Sequence, residues 1–260
     1  MKSPEVCVLK TDGINCDVEM AYAFADAGGT PQTVHVNQLR SGEQRLDNFD
    51  VLALPGGFSY GDDVASGKIL ATELTSYLSD QLQGFMSKGR PIIGVCNGFQ
   101  VLVRTGLLPN RTLGRQEATL AENNIGRFEC RWIDLAVPES ASLFVKPDDF
   151  PRQPIPMQTA HGEGRFFTNP ELIDELKRDG QVVFRYASRS GGEPDGYPAN
   201  PSGSLGNIAG VTDLSGLVLG MMPHPERSIA SFHPQRSRTE LARTAAQTIF
   251  KNIVTHAQEM

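Results

Sequence analysis

Cys96 lies in a sequence context that is typical of a catalytic nucleophile. In the run GVCNG (94–98), glycine stands two residues before and two residues after the cysteine, directly after an apolar stretch. The same spacing around a serine forms the nucleophile elbow, a sharp strand-to-helix turn in which larger side chains would clash. A helix that begins after Cys96 would direct the positive end of its dipole at the sulfur, which favours the thiolate. For this residue taken alone, a buried structural cysteine is the alternative.

A histidine and a glutamate could supply the base and the orienting group that a cysteine nucleophile requires. They are His224 and Glu226 of the run MPHPE (222–226). Pro225 cannot lie inside a helix, so we expect the backbone to be extended and the two side chains to face the same side. Glu226 would then hold the imidazole in one tautomer, as the third member of a catalytic triad does. The alternative is a loop histidine beside a solvated carboxylate.

The glycine-rich run PGGFSYGD (55–62) follows an apolar stretch and is predicted to lie at the same sheet edge as the cysteine. Two successive glycines allow backbone N–H groups to point at a ligand. The N–H of Gly57 could therefore form one half of an oxyanion hole, and the N–H of Asn97 the other half. A simple turn is the alternative for this run.

Two other chemistries use the same residues. A metal site could combine the pairs His161/Glu163 and His224/Glu226 with Cys96, although the helical His-x-x-x-His spacing is absent. Without a metal, His161 and Glu163 are expected to line a loop near the site or a subunit interface. A non-enzymatic, redox-sensing or chaperone-like cysteine protein would need the elbow but not the paired histidine and glutamate, so the MPHPE run counts against it.

The sequence carries no nucleotide-binding signature. The run 61–69 has one residue too many for a phosphate-binding loop and lacks the Ser or Thr that would hold magnesium. Gly162-Glu163-Gly164 is followed by Phe167, where a dinucleotide fingerprint requires glycine. We therefore expect this chain to bind neither nucleotide nor metal.

Two groups of residues are left over. Three further cysteines are interpreted as structural, namely Cys7, Cys16 and Cys130. A local basic cluster is interpreted as a solvated face, with a docking surface as the alternative, and consists of Arg227, His233, Arg236 and Arg238.

The elements that must position these residues alternate in the first half of the chain. Short apolar runs at 6–9, 33–36, 50–55 and 91–96 predict strands. Helical patterns follow at 17–27, in one long helix across 69–85, and directly after Cys96. This alternation predicts βαβ units and a mainly parallel sheet that is buried on both faces.

The second half changes character. The runs 118–138 and 181–187 resemble strands without intervening helices, which indicates an antiparallel extension, whereas 146–156 and 188–204 are predicted loops. A wide apolar stripe over 239–256 predicts a closing amphipathic helix. We expect one α/β domain over residues 1–260, a three-layer fold with a mainly parallel central sheet flanked by helices plus the antiparallel extension.

Composition limits the function classes. The 260 residues carry 24 Lys and Arg against 30 Asp and Glu, a net charge of −6, which argues against non-specific binding to nucleic acid or anionic membranes. The apolar runs are far shorter than the ~20 residues of a membrane span. No signal peptide is visible, and the four cysteines are widely scattered, so we expect a reduced cytoplasmic protein.

Taken together, the motifs resemble those of the class I (triad) glutamine amidotransferases. That family combines G-x-C-x-G-x-Q with a much later H-P-E, and this chain has GVCNGFQ (94–100) and MPHPE. Five further runs are similar to those of glutaminase subunits of phosphoribosylformylglycinamidine synthase: LKTDGINCD (9–17), GRFECRW (126–132), AHGEGRF (160–166), NPSGSLGNIAG (200–210) and GMMPHPER (220–227). The resemblance covers nearly the whole chain.

The resemblance implies a mechanism. The Cys96 thiolate would attack the side-chain amide carbon of L-glutamine, and His224, oriented by Glu226, would protonate the leaving ammonia and then activate water. By analogy, Gln100 of the G-x-C-x-G-x-Q motif would help to seat the substrate.

The resemblance also implies a partner. Ammonia would pass to a synthetase subunit of the same complex, which binds ATP and magnesium, and a small third subunit is a further candidate. The longer loops 146–156 and 188–199 bear on those subunit contacts. This chain itself is expected to carry no cofactor and to bind neither nucleic acid nor membrane.

Overall fold

The computed structural model describes residues 2–229 and 239–260. Within them lie eleven strands, β1 (Glu5–Lys10), β2 (Thr30–His35), β3 (Val51–Leu54), β4 (Ile92–Val95), β5 (Thr119–Ala121), β6 (Glu129–Ala136), β7 (Ile155–His161), β8 (Arg165–Phe167), β9 (Val182–Ala187), β10 (Ile208–Thr212) and β11 (Val218–Met221). The α-helices are α1 (Asp17–Asp26), α2 (Val36–Ser41), α3 (Lys68–Ser76), α4 (Ser79–Ser87), α5 (Asn97–Thr105), α6 (Pro170–Arg178) and α7 (Thr239–Glu259).

Nine of these strands form one sheet, in the order β2-β1-β3-β4-β11-β10-β9-β6-β7. The strands from β2 to β11 in this order pair in parallel, and the remaining four pair antiparallel. The predicted parallel sheet with an antiparallel extension is thereby confirmed. Strand β4, which leads to Cys96, lies centrally between β3 and β11.

Helices cover the parallel part of the sheet, as predicted. Every residue of β3, β4 and β11 is buried, which is typical of parallel strands with helices on both faces. Helices α1 and α7 pack together, with the Phe24 and Phe250 rings edge to face at 5.1 Å, and α5 packs with α3 against β4 and β11. No helix of the described residues is long and apolar enough to cross a membrane.

The prediction of one long helix across 69–85 is wrong. The structure has two helices, α3 and α4, with a break at Tyr77 and Leu78. The N–H groups of both residues point back to the carbonyl of Glu73, so the regular i to i−4 ladder ends there. Leu78 nevertheless stays buried, and the apolar spacing therefore continues unchanged across the break.

The strand prediction for 118–138 is only partly right. Strand β5 pairs with β8 in a separate two-stranded sheet, and β6 joins the main sheet only from Glu129. Between them, the side chain of Asn123 donates hydrogen bonds to the carbonyls of Arg127 (3.0 Å) and His161 (2.8 Å). These bonds fold residues 123–127 into a turn, which an Asn side chain can stabilise in place of a strand ladder.

Candidate active site

Cys96 lies at a strained turn between β4 and α5. Its backbone angles are φ 52° and ψ −106°, outside the regions that non-glycine residues normally occupy. The turn is anchored on both sides, because the Cys96 N–H donates to the carbonyl of Met221 (2.8 Å) and its carbonyl accepts the N–H of Gln100 (3.0 Å). Such strain persists only where the surrounding structure imposes it, and it is common at functional sites.

The two glycines of the elbow are required by close packing. A Cβ atom at Gly98 would overlap the carbonyl oxygen of Leu54, and one at Gly94 would lie 2.6 Å from the carbonyl oxygen of Gly98. The start of helix α5 therefore approaches strands β3 and β4 so closely that only glycine fits at these two positions. The structure has the sharp turn that the G-x-C-x-G spacing predicts.

His224 and Glu226 form a buried pair. Nδ1 of His224 lies 2.6 Å from Oε1 of Glu226, and the two side chains are 1% and 0% exposed. The expectation of extended backbone is wrong, because Pro225–Ser228 forms one turn of 3-10 helix. Proline fits the first position of such a turn, where its missing N–H costs no hydrogen bond.

Strand β7 connects the histidine to the cysteine. The His224 N–H donates to the carbonyl of Gln158 (2.8 Å), and the Cys96 thiol donates to the carbonyl of Ala160 (3.5 Å). Two residues of one strand thus hold the two reactive groups on the same side of the molecule.

The surroundings of His224 favour the protonated ring. Burial by itself lowers the pKa of His224, but the Glu226 carboxylate, together with the sulfurs of Cys96 and Cys16, raises that pKa well above its usual value. Nε2 makes no hydrogen bond of conventional geometry with the described residues. With Nδ1 bound to Glu226, Nε2 is the ring atom available for proton transfer.

Gly57 and Asn97 lie where backbone N–H groups can face a ligand. Gly57 has φ 141°, and a Cβ atom there would lie 2.7 Å from the backbone of Ile14 and Asn15. The neighbouring Phe58 N–H donates to the carbonyl of Gly13 (2.9 Å), so the loop after β1 supports the glycine-rich loop. Asn97 is the first residue of α5, whose N–H has no partner within the helix.

These groups surround one pocket of about 180 Å³. It is lined by Asn15, Gly57, Phe58, Cys96, Phe128, Ala160, His224 and Arg227. Two larger clefts, of about 430 and 350 Å³, hold none of the candidate catalytic residues. The pocket beside Cys96 is therefore the candidate active site.

Comparison with known proteins agrees with this geometry. Residues 3–257 match the family model described as CobB/CobQ-like glutamine amidotransferase domain. A "Phosphoribosylformylglycinamidine synthase subunit PurQ" of Dehalococcoides mccartyi is 45% identical over 90% of each chain. A relative of the same name in Methanococcus maripaludis is 41% identical over 88% of this chain and 84% of its own. The chain belongs to the PurQ family of glutamine amidotransferases.

Solved structures support the family assignment. A chain of the "Structure of PurLQS from Thermotoga maritima" has a TM-score of 0.74 and 30% identity, and the match covers 98% of this chain and 99% of that one. A glutamine amidotransferase of Thermotoga maritima, at 15% identity and a TM-score of 0.57 over the full length of both chains, shares the fold.

Gln100 of the PurQ-type motif does not line the pocket. Its amide nitrogen donates to the carbonyl of Glu163 (2.6 Å), and its amide oxygen accepts a hydrogen bond from the Asn97 side chain (3.0 Å). In this structure Gln100 therefore joins the start of α5 to the segment after β7. Direct contact of Gln100 with glutamine stays a prediction.

Cys16 and Arg227 are two charged or reactive residues of the site that are not apparent as such from the sequence. Cys16 is fully buried, and Nη2 of Arg227 donates to its sulfur at 3.0 Å. A Cβ atom at Gly56 would lie 2.7 Å from Cε1 of His224, 3.3 Å from the Cys16 sulfur and 3.4 Å from Cβ of Cys96. Cys16, interpreted from sequence as merely structural, thus packs beside the nucleophile and the base.

One sequence signal was available for each residue. Cys16 stands in LKTDGINCD and Arg227 in GMMPHPER, both of which carry the family resemblance. The neighbouring charges in the sequence instead predict that Arg227 belongs to the basic cluster, but it is half-buried and lines the pocket. The other members of that cluster, His233, Arg236 and Arg238, lie outside the described residues.

The geometry disfavours the metal site considered from sequence. Nδ1 of His161 lies 3.0 Å from Oδ1 of Asn123. The Glu163 carboxylate forms an ion pair with Arg104, with 3.4 Å between Oε2 and Nη2. In residues 2–229 and 239–260 the potential ligand cluster is a different one, formed by Cys16, His224 and Glu226 within 4.8 Å. The Arg227 guanidinium beside Cys16 would repel a cation there.

Proposed function

We propose that this chain is the glutaminase subunit of a phosphoribosylformylglycinamidine synthase. It hydrolyses glutamine to glutamate and ammonia and delivers the ammonia to a synthetase subunit, which makes formylglycinamidine ribonucleotide with ATP. One observation carries the proposal, namely the pocket in which the strained Cys96 adjoins a buried His224–Glu226 pair. A redox-sensing cysteine would need neither the histidine nor its carboxylate.

The first half of the reaction forms a thioester. The Cys96 thiolate attacks the amide carbon of glutamine, and negative charge develops on the amide oxygen, where the N–H groups of Gly57 and Asn97 stabilise it. Nε2 of His224 gives its proton to the amide nitrogen, the carbon–nitrogen bond breaks, and ammonia leaves. The Glu226 carboxylate and the Cys96 sulfur raise the pKa of His224, which favours the protonated ring that supplies this proton.

The second half releases glutamate. Nε2 of His224, now neutral, accepts a proton from water as the water oxygen attacks the thioester carbon. The carbon–sulfur bond breaks, Cys96 leaves as the thiolate, and glutamate dissociates. Glu226 keeps the same ring atom available in both halves because it holds Nδ1 throughout.

The partner follows from the chemistry of ammonia. Ammonia released to bulk water would be protonated and would lose its nucleophilicity, so delivery requires a bound synthetase subunit. The likeness to a chain of PurLQS supports such an assembly, with a small third subunit as a further candidate. ATP and magnesium belong to the synthetase, this chain carries no cofactor, and the reaction takes place in the cytoplasm, where thiols remain reduced.

Co-purification with the synthetase subunit tests the proposal. The complex is expected to release glutamate from glutamine, and the rate is expected to change when the synthetase binds its nucleotide ligands. Cys130→Ser is the matched control, because this exposed cysteine lies outside the pocket, and it should retain full glutaminase activity. A stable complex that releases no glutamate under any ligand condition would refute the proposal.

A further inference from the structure

The charge in the candidate active-site pocket is unevenly distributed. Of the eight residues that line it in the described chain, Arg227 is the one whose side chain is permanently charged. The nearby carboxylate of Glu226 does not line the pocket and is bound to His224. A ligand in this pocket therefore meets one fixed positive charge, near a nucleophile and a base.

Among the described residues, the guanidinium of Arg227 has one hydrogen-bond partner, the sulfur of Cys16 at 3.0 Å. No carboxylate of these residues forms an ion pair with it. By contrast, two other partly buried arginines, Arg104 and Arg131, pair with the carboxylates of Glu163 and Glu129. Sulfur is a weak acceptor, whereas guanidinium is shaped for two parallel hydrogen bonds to a carboxylate.

Glutamine presents the complementary group. Its reacting amide carbon and its α-carboxylate stand at opposite ends of one short chain, so a bound glutamine with its amide at Cys96 must place the carboxylate elsewhere against the pocket wall. We propose that Arg227 binds the α-carboxylate of glutamine, and that Cys16 positions the guanidinium before the substrate enters. This inference rests on the proposed glutaminase function and names the residue that selects the substrate.

A substrate without the α-carboxylate separates this role from a structural one. In 4-aminobutanamide the amide, the chain and the amino group of glutamine are retained and the carboxylate is missing. We expect the complex of this chain with its synthetase subunit to release ammonia from glutamine with a kcat/KM roughly 10- to 100-fold higher than from 4-aminobutanamide, the range for a hydrogen bond to a charged group. Equal kcat/KM values of the wild-type complex for the two substrates would by themselves overturn the inference.

Arg227→Met then completes the comparison. On glutamine it should lower kcat/KM by the same factor, mainly through KM, because the lost contact holds the substrate in the ground state and the transition state alike. On 4-aminobutanamide it should lower kcat/KM far less, because the carboxylate that Arg227 would bind is absent. Equal losses on both substrates would assign Arg227 a structural role and overturn the inference.

Three further variants complete the test. Arg227→Lys should retain part of the preference for glutamine, since it keeps the charge but not the paired donors. Cys16→Ala should raise KM for glutamine and, because the Cys16 sulfur also contributes to the raised pKa of His224, should lower kcat as well. Arg178→Met, at an exposed arginine on α6, should behave as wild type. If the wild-type complex hydrolyses glutamine, but Arg227→Lys lowers kcat/KM equally for glutamine and for 4-aminobutanamide, this inference alone is refuted. If the wild-type complex is inactive, the proposed function is refuted as well.

Discussion

Nδ1 of His224, the residue before a 3-10 turn, lies 2.6 Å from Oε1 of Glu226 inside that turn. Both side chains are almost completely buried, so the carboxylate is held against the ring without competition from water. A charged hydrogen bond in such surroundings is stronger than one at the surface and fixes which ring nitrogen bears the transferable proton.

Replacing the carboxylate should weaken catalysis without removing the base. We expect Glu226→Gln to lower kcat for glutamine hydrolysis by about 10⁴-fold at most, and His224→Ala to lower it by up to about 10⁶-fold, as in other triads. Steady-state glutamate release by the complex measures both. If Glu226→Gln were as damaging as His224→Ala in a complex of unchanged thermal stability, orientation would not be the role of Glu226.

Gly56 provides a steric test of the same site. A Cβ atom there would lie 2.7 Å from Cε1 of His224, so the ring would have to shift against its hydrogen bond to Glu226. Gly56→Ala should therefore displace the imidazole and lower kcat by about 10²-fold, the cost of a misplacement of about 1 Å. The melting temperature should also fall, because the added methyl group overpacks a buried site, at a cost of about 1–3 kcal/mol.

The control for this variant is Gly84→Ala on helix α4. A Cβ atom at Gly84 meets nothing within 4 Å, so activity should be retained and stability should rise slightly. Equal activity in both variants would show that the ring of His224 tolerates displacement and would contradict the account.

His161 should make the fold sensitive to acid. Burial, together with the nearby charge of His224, lowers the pKa of His161 to about 4, against about 6.5 for an unfolded chain. Between those values the unfolded state binds a proton that the folded state does not, so stability falls as pH falls from 6.5 to 4. The loss from this group is about 3 kcal/mol at the acidic end.

Urea unfolding of wild type and His161→Gln at pH 7.5, 6 and 5 measures this dependence. The variant should be less stable at neutral pH but should lose less stability on acidification. Parallel curves for the two proteins would mean that His161 titrates normally in the folded state.

The four cysteines should differ sharply in reactivity. Cys96 faces the pocket, Cys16 is fully buried, Cys7 is buried with its pKa raised to about 12, and Cys130 is exposed. A diazoketone analogue of glutamine should label Cys96 first, whereas a small non-directed reagent should also reach Cys130. Peptide mapping that finds the analogue on Cys130, Cys16 or Cys7 before Cys96 would remove the nucleophile assignment.

Local patterns were sufficient to predict the elbow and the parallel sheet. The glycines at 94 and 98 indicate the close approach of strand and helix that any such turn requires. The apolar runs of β3 and β4 indicate strands that are buried on both faces. Both signals reside in a few consecutive residues, which is why the sequence alone reveals them.

Long-range packing explains what sequence reasoning missed. Cys16 lies in the site because the loop after β1 packs on the glycine-rich loop near Gly57. Arg227, which contacts the Cys16 sulfur, lies 211 residues later in the chain. Neither contact leaves a periodic trace in the sequence. The break between α3 and α4 was also invisible, since Leu78 preserves the apolar spacing while the backbone hydrogen bonds change.

The most direct test of the central claim is the ammonia dependence of the Cys96→Ala complex. The variant lacks the sulfur that forms the thioester, but the ATP site of the synthetase is untouched. We expect glutamine-dependent synthesis to fall by several orders of magnitude. With high ammonium at alkaline pH, synthesis should continue at a rate comparable to that of the wild-type complex. Loss of ammonia-dependent synthesis as well, in a variant still bound to its synthetase, would contradict the assignment of Cys96 as a dedicated glutaminase nucleophile.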